Sequence, residues 1–133
     1  MQNNQLKLSK EDRLKKIFDL RRDFMSNLRN EIPGSMPESI DLSSKEGQKY
    51  LRDLALHGVE EMFEALQHLK NWKSHRRTEI KELPDSDEFL EEIVDAFNYF
   101  FSLIVLAGFD ENDLFEAYLK KDKIINNRLK NGY

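Results

Sequence analysis

Two pairs of acidic residues in this chain have the types and the spacing that metal chemistry requires. Glu61 and Glu64 lie three positions apart, Glu92 and Asp95 repeat that spacing, and 27 residues separate the two pairs. On a helix, side chains three positions apart share one face. Four facing carboxylates repel one another unless a cation lies among them, and Mg²⁺ and Mn²⁺ accept carboxylate oxygens and bridge to substrate phosphates. The spacing therefore predicts a phosphate-directed metal site for Mg²⁺, with Mn²⁺ as the alternative ion.

A second interpretation of these acids needs no metal. The chain has 25 acidic residues among 133, so a Glu-x-x-Glu spacing arises often by chance, and Lys70, Lys73 and Arg76 could simply neutralise the acids. The metal site is favoured because both pairs fall on inward stripes of long helices that a short connection, containing Pro84, makes antiparallel neighbours.

Four segments with apolar residues at helical spacing have to position these acids. The first follows a capping signal of Ser9 and Asp12 and reaches about Asn30. The second runs from about Lys45 to Trp72, after a cap at Ser43 or Ser44. The third runs from about Glu88 to Ala107 and ends before Gly108, and the fourth runs from a cap at Asp110 to about Arg128. In the second segment one inward line comprises Leu54, Gly58, Glu61, Ala65, His68 and Trp72.

In the third segment the acids continue an apolar stripe. Glu92 and Asp95 share the stripe of Tyr99, Leu103 and Leu106, and a separate apolar face comprises Phe89, Ile93, Phe97, Phe100 and Ile104. A carboxylate on an inward stripe is costly unless a cation meets it, which again favours the metal site.

The composition limits the fold and the class of protein. With 39% hydrophobic and 35% charged residues and few Gly and Pro, the chain is predicted to form one all-α domain over residues 1–133, a bundle of four to five helices. It has no cysteine, no signal-peptide core and no apolar run near the roughly 20 residues of a membrane span, so a cytoplasmic location without a membrane partner is expected. Acids outnumber bases by 25 to 21, which argues against a nucleic-acid partner.

Several stretches resemble one known family. Glu61-Met-Phe-Glu64 followed by Glu92-Ile-Val-Asp95 is similar to the ExxE…ExxD metal motif of the all-α nucleoside triphosphate pyrophosphatases, which include MazG-like enzymes and dimeric dUTPases. Leu69-Lys-Asn-Trp72-Lys73 resembles the segment that closes the second helix of the dimeric dUTPases, and residues 91–101 resemble their EExxDxxHFxL stretch. The ending, residues 117–133, resembles their Y..K…N..RQ..GY pattern.

The resemblance implies a homodimeric, Mg²⁺-dependent enzyme that hydrolyses a nucleoside triphosphate to the monophosphate and pyrophosphate. It implies that Glu61, Glu64, Glu92 and Asp95 hold the metal and that Glu61 or Glu64 positions or deprotonates the attacking water. The expected substrate is a deoxynucleoside triphosphate, dUTP first and dCTP second. Substrate contacts are expected at Trp72, Lys73, Asn98, Lys121, Asn126, Arg128 and Tyr133.

Some positions depart from the family pattern or have simpler explanations. Asn98 replaces a His that is common in the dimeric dUTPases, and Arg21 and Leu129 stand where glutamines are expected, which leaves the preferred base open. Trp72 could pack rather than stack on a base, and Lys121 could complement a helix dipole. His68 and His75 are isolated in the sequence and are interpreted as ordinary polar or core side chains.

A different class of function also fits the sequence. A helical homodimeric interaction module could have the same scaffold without the chemistry, and the apolar run from Tyr99 to Ala107 would suit a subunit interface in either case.

Overall fold

Helices account for all the regular secondary structure in residues 11–77 and 85–132, which are the residues that the computed structural model describes. They are α1 (Arg13–Glu31), α2 (Lys45–Leu66), α3 (Ser86–Leu106) and α4 (Glu111–Lys130). The all-α prediction is confirmed for this part of the chain. Ser9, Pro84 and Tyr133, each of which carries a prediction above, lie outside the described residues.

Each helix begins at a side chain that accepts a hydrogen bond from a backbone N–H of the first turn. These caps are Asp12, Ser44, Asp85 and Asp110. At Asp110 the bond is reciprocal, since the side chain of Asp113 accepts from the Asp110 N–H at 3.0 Å. The cap predicted at Asp110 is confirmed, and of the two serines predicted as caps of α2 it is Ser44 that has this role. Asp12, which the sequence placed after Ser9 in a capping signal, is itself the cap of α1, and the cap at Asp85 starts α3 slightly before the predicted Glu88.

The second helix ends earlier than the sequence predicted. It stops at Leu66 rather than at Trp72, because the next three N–H groups each bond to the carbonyl three residues back. The donors are Gln67, His68 and Leu69, and the acceptors are Glu64, Ala65 and Leu66. Such i→i−3 bonds tighten a helix end and turn the chain away from the axis. Trp72 therefore does not lie on α2 and does not extend its inward line.

Two compact units make up the chain. One contains α1 and α4, and the other, Ser39–Ala107, contains α2 and α3. In the first unit Phe18 and Met25 of α1 are buried, and the guanidinium of Arg22 pairs with the nearly buried carboxylate of Glu111 at 2.9 Å. This bond holds the pKa of the Glu111 carboxyl below its ordinary value.

In the second unit α2 and α3 pack closely and run antiparallel, as the sequence predicted. The ring of His57 lies 5.8 Å from that of Tyr99, and the ring of His68 lies 6.1 Å from that of Phe89, so positions rise along α2 while they fall along α3. At Gly58 the approach is so close that a Cβ would lie 3.0 Å from the Phe100 ring.

The buried positions of α2 and α3 include small side chains as well as Leu54 and Leu106. Ala65 of α2 and Ala96 and Ser102 of α3 are buried, whereas Phe97 is 48% exposed. Phe97, which the sequence placed on a separate apolar face of α3, is thus half exposed in this chain.

No single helix in the described residues is long and apolar enough to cross a membrane, although α3 and α4 together pass that test of length and composition as a bent pair.

Candidate metal and substrate site

The four predicted acids lie where the end of α2 meets the beginning of α3. Glu61 and Glu64 occupy the last turns of α2, and Glu92 and Asp95 occupy early turns of α3. Glu61 and Glu92 are half-buried, whereas Glu64 and Asp95 are exposed. Because the two helices run antiparallel, a short stretch of each is enough to bring all four carboxylates to one end of the pair.

The electrostatics of Glu61 show that these carboxylates act on one another. Burial raises the pKa of the Glu61 carboxyl, and the negative charge of Glu64, together with a hydrogen bond between the two carboxyls, raises it further. The charges of Asp95 and Glu92 act in the same direction. The structure therefore places all four acids that the sequence singled out near one another, since the charges of the other three all act on Glu61. We call these four residues the acidic cluster.

The three cations that the sequence offered as partners of the acidic cluster form no ion pair with it in the described part of the chain. Within residues 11–77 and 85–132, no ion pair joins Lys70, Lys73 or Arg76 to any of the four acids. The ammonium group of Lys73 instead lies 5.3 Å from the centre of the Trp72 ring. The simpler interpretation, in which these three cations balance the acids, thus finds no support in the described ion pairs.

A cleft of about 330 Å³ opens beside the acidic cluster. Its walls are formed by Glu64, Gln67, His68, Lys70 and Glu92. Two of these residues belong to the acidic cluster, and Lys70 adds a positive charge to the same wall. Such a mixture can hold a cation against the carboxylates and a phosphate oxygen against the lysine.

His68 is a member of the site whose partner the sequence did not reveal. Its Nε2 lies 3.0 Å from Oε2 of Glu92, and both side chains are largely buried, with 18% and 24% of their surface exposed. His68 was placed on the inward line of α2 in the sequence, seven positions after Glu61. That position on the inward line indicates that His68 faces α3. Its pairing with Glu92 depends on the turn that follows the end of α2 at Leu66.

The predicted substrate contacts are distributed over both units. Asn98 is half-buried on α3, one turn after Asp95, and Trp72 follows α2 with 72% of its surface exposed. Lys121, Asn126 and Arg128 lie exposed on α4, in the other unit. The amide of Asn126 donates to the backbone and side-chain oxygens of Asp122, at 2.9 and 3.1 Å.

The ligand type of the acidic cluster suits a hard divalent ion, although among the described residues only His68, Glu88 and Glu92 bring three ligand atoms within 4.8 Å of one another. All four groups offer carboxylate oxygens, which Mg²⁺ and Mn²⁺ prefer, and the two exposed members leave part of the cluster open to solvent and substrate. The described residues thus form a helical chain with an acidic cluster on an antiparallel helix pair. Neither a protein-family model, nor a curated protein, nor a solved structure matches this chain.

Proposed function

We propose that this protein is a Mg²⁺-dependent nucleoside triphosphate pyrophosphohydrolase that converts a deoxynucleoside triphosphate to the monophosphate and pyrophosphate. The substrate proposed first is dUTP, and the second is dCTP. The observation that carries the proposal is the meeting of Glu61, Glu64, Glu92 and Asp95 at one end of α2 and α3, where burial and the charges of the other three acids raise the pKa of Glu61. The likeness of the same residues to the ExxE…ExxD motif of the all-α pyrophosphatases supports it.

Each acid has a role in this proposal. The acidic cluster would hold Mg²⁺, which neutralises triphosphate charge and makes a water more acidic when it is bound. Glu61 or Glu64 is proposed to accept the proton of the attacking water, as the family likeness implies. The water oxygen forms a bond to the α-phosphorus, and the bond from that phosphorus to the pyrophosphate oxygen breaks. His68 would keep Glu92 oriented through their hydrogen bond.

Substrate recognition is proposed for residues around the same cleft. Lys70 lies in its wall, and Trp72 offers an exposed ring on which a base could stack. Asn98 follows Asp95 on α3 and offers an amide that could read a pyrimidine edge. Lys121, Asn126, Arg128 and Tyr133 are proposed as substrate contacts on the basis of the family likeness alone.

The proposal is tested by turnover. Purified protein is incubated with dUTP, dCTP, dTTP, dATP or dGTP and Mg²⁺, and released pyrophosphate is measured. We expect kcat/KM to be highest for dUTP or dCTP, and we expect Glu92→Ala to lower it by at least about 100-fold because a charged group that acts on the transition state is lost.

Glu91→Ala is the matched control, since Glu91 is the exposed neighbour of Glu92 and is not part of the acidic cluster. It should retain wild-type turnover. A purine preferred by about tenfold, which is about 1.4 kcal/mol, would refute the pyrimidine preference alone. Unchanged turnover in Glu92→Ala would refute the site.

A homodimeric interaction module is the second candidate, and one observation favours it. Large apolar side chains are exposed along one stripe of α2, at Leu56, Val59, Phe63 and Leu66. An exposed apolar stripe of this kind is typical of a contact surface, and we propose that it forms the interface of a homodimer in either function. Absence of turnover with every nucleotide would favour the module over the enzyme.

A further inference from the structure

One imidazole and two carboxylates converge beside the acidic cluster. His68 belongs to the turn after α2, while Glu88 and Glu92 lie one turn apart on α3. One ligand atom from each residue falls within 4.8 Å of the others, and Nε2 of His68 is 3.0 Å from Oε2 of Glu92. Glu92 also belongs to the acidic cluster, whereas His68 and Glu88 do not.

The spacing of these atoms suits one bound ion. Ligands held at about 2.1 Å from the same ion lie at most about 4.2 Å apart. The His68–Glu92 distance of 3.0 Å is that of two neighbouring ligands, and a rotation of the exposed Glu88 side chain can shorten the remaining distances. The edge of the Phe89 ring packs against the imidazole and limits how far it can turn away from Glu92.

The cleft is a second, independent feature that points to a ligand. His68 and Glu92 both line it, and their side chains are 18% and 24% exposed, whereas Glu88 is not part of its wall. Its volume of about 330 Å³ admits an ion that still carries several waters. The imidazole and the carboxylate therefore face an opening rather than a closed contact between helices.

We propose that His68, Glu88 and Glu92 form a binding site for a first-row transition-metal dication that accepts imidazole, such as Co²⁺ or Zn²⁺. An imidazole ligand suits these ions, whereas Mg²⁺ is best held by oxygen ligands alone. The site thus differs in ion class from the acidic cluster. Since a carboxylate has two oxygens, Glu92 can serve both. The inference does not rest on pyrophosphate release, and it needs neither Glu61, Glu64 nor Asp95.

Co²⁺ is the probe, because its binding can be followed both by calorimetry and by its visible absorption. The full chain is titrated at neutral pH as wild type, His68→Gln and Glu88→Gln. We expect each variant to weaken Co²⁺ binding by at least about tenfold. Glutamine at position 68 can still hydrogen-bond to Glu92, so a loss of binding in His68→Gln reports the missing imidazole rather than a missing contact.

Two matched controls test the specificity of Co²⁺ binding. His57→Gln removes an exposed histidine of α2, and Glu91→Gln removes an exposed acid of α3. Both should bind Co²⁺ as the wild type does. Wild-type affinity in either His68→Gln or Glu88→Gln would overturn the proposal, and so would an equal loss in the two controls.

A last variant separates this proposal from the proposed function. Glu61→Gln removes the carboxyl most strongly affected by the acidic cluster and leaves His68, Glu88 and Glu92 in place. Its Co²⁺ affinity should stay within about twofold of wild type even though its turnover is lost. If no nucleotide is hydrolysed by the wild type, the proposed function fails, while Co²⁺ binding that depends on His68 still supports the second site.

Discussion

At the scale of single residues, the effect of the acidic cluster on the Glu61 carboxyl can be measured through the dependence of stability on pH. Because burial and the charge of Glu64 raise its pKa, the folded protein holds this proton more tightly than the unfolded chain does. Binding of this proton stabilises the folded state fully at pH values below the ordinary glutamate pKa. This stabilisation is lost as the pH rises through the raised pKa of Glu61 in the folded protein. Glu61→Gln removes the charge, so in metal-free buffer at neutral pH we expect a higher Tm than wild type, with the difference vanishing in acid.

The measurement is thermal unfolding as a function of pH in the presence of a chelator. Glu60→Gln is the control, because Glu60 is 75% exposed and pairs only weakly with His57, at 3.6 Å. Added Mg²⁺ should stabilise the wild type more than Glu61→Gln, since an ion that binds only the native state stabilises it. A wild type and a Glu61→Gln variant with the same dependence of Tm on pH would contradict the repulsion.

From the sequence, spacing predicts which site residues share one face of a helix, but not which residues of two different elements contact each other. Spacing within α2 and within α3 identified Glu61, Glu64, Glu92 and Asp95, because side chains three positions apart share a face of any helix. The pairing of His68 with Glu92 depends on two further facts, the register of α2 on α3 and the tight turn after Leu66. Neither follows from spacing within one helix, so the partner of His68 became visible only in the structure.

At the scale of elements, Gly58 sets the distance between α2 and α3. A Cβ there would lie 3.0 and 3.1 Å from atoms of the Phe100 ring and 3.2 Å from the Cβ of Tyr99. The ring could shift, but the Cβ of Tyr99 moves only with the backbone of α3. We therefore expect Gly58→Val to destabilise the protein by about 1–3 kcal/mol, as overpacking does, measured by urea unfolding.

Ser26→Val is the control for this substitution, because Ser26 is exposed on α1 and the change adds the same branched side chain to a helix. It should change stability by no more than about 0.5 kcal/mol. Equal stability of Gly58→Val and wild type would mean that the helices do not approach each other this closely.

The same close approach explains what the sequence predicted about these elements and what it missed. Caps and apolar periodicity gave α1, α3 and α4 to within a few residues, because these signals are local. The periodicity of α3 also placed Phe97 on an apolar face, where it is 48% exposed. Large apolar residues usually mark a core, but on α2 and α3 the small residues Ala65, Ala96 and Ser102 are buried together with Leu54 and Leu106. Which helix faces α3, and at what distance, is not encoded in the pattern of α3 itself.

At the scale of the whole molecule, the exposed apolar stripe of α2 leads to a prediction about assembly. Phe63 lies within the stripe and is 59% exposed, and Leu56, Val59 and Leu66 continue it on both sides. By contrast, every residue of the apolar run from Tyr99 to Ala107, which the sequence offered as an interface, is buried or half-buried within a single chain. We therefore place the proposed homodimer contact on α2 and expect sedimentation velocity to show a dimer at micromolar concentration.

Phe63→Glu tests that contact, because it places a charge in the middle of the stripe, where two copies related by a twofold axis would bring the new charges together. We expect this variant to sediment as a monomer with unchanged helix content by circular dichroism. Phe63→Leu keeps the position apolar and should remain dimeric. A wild type that is monomeric at micromolar concentration would refute the dimer, and a Phe63→Glu variant that remains dimeric would place the interface elsewhere. Neither result would alter the assignment of the acidic cluster, whose four members all belong to one chain.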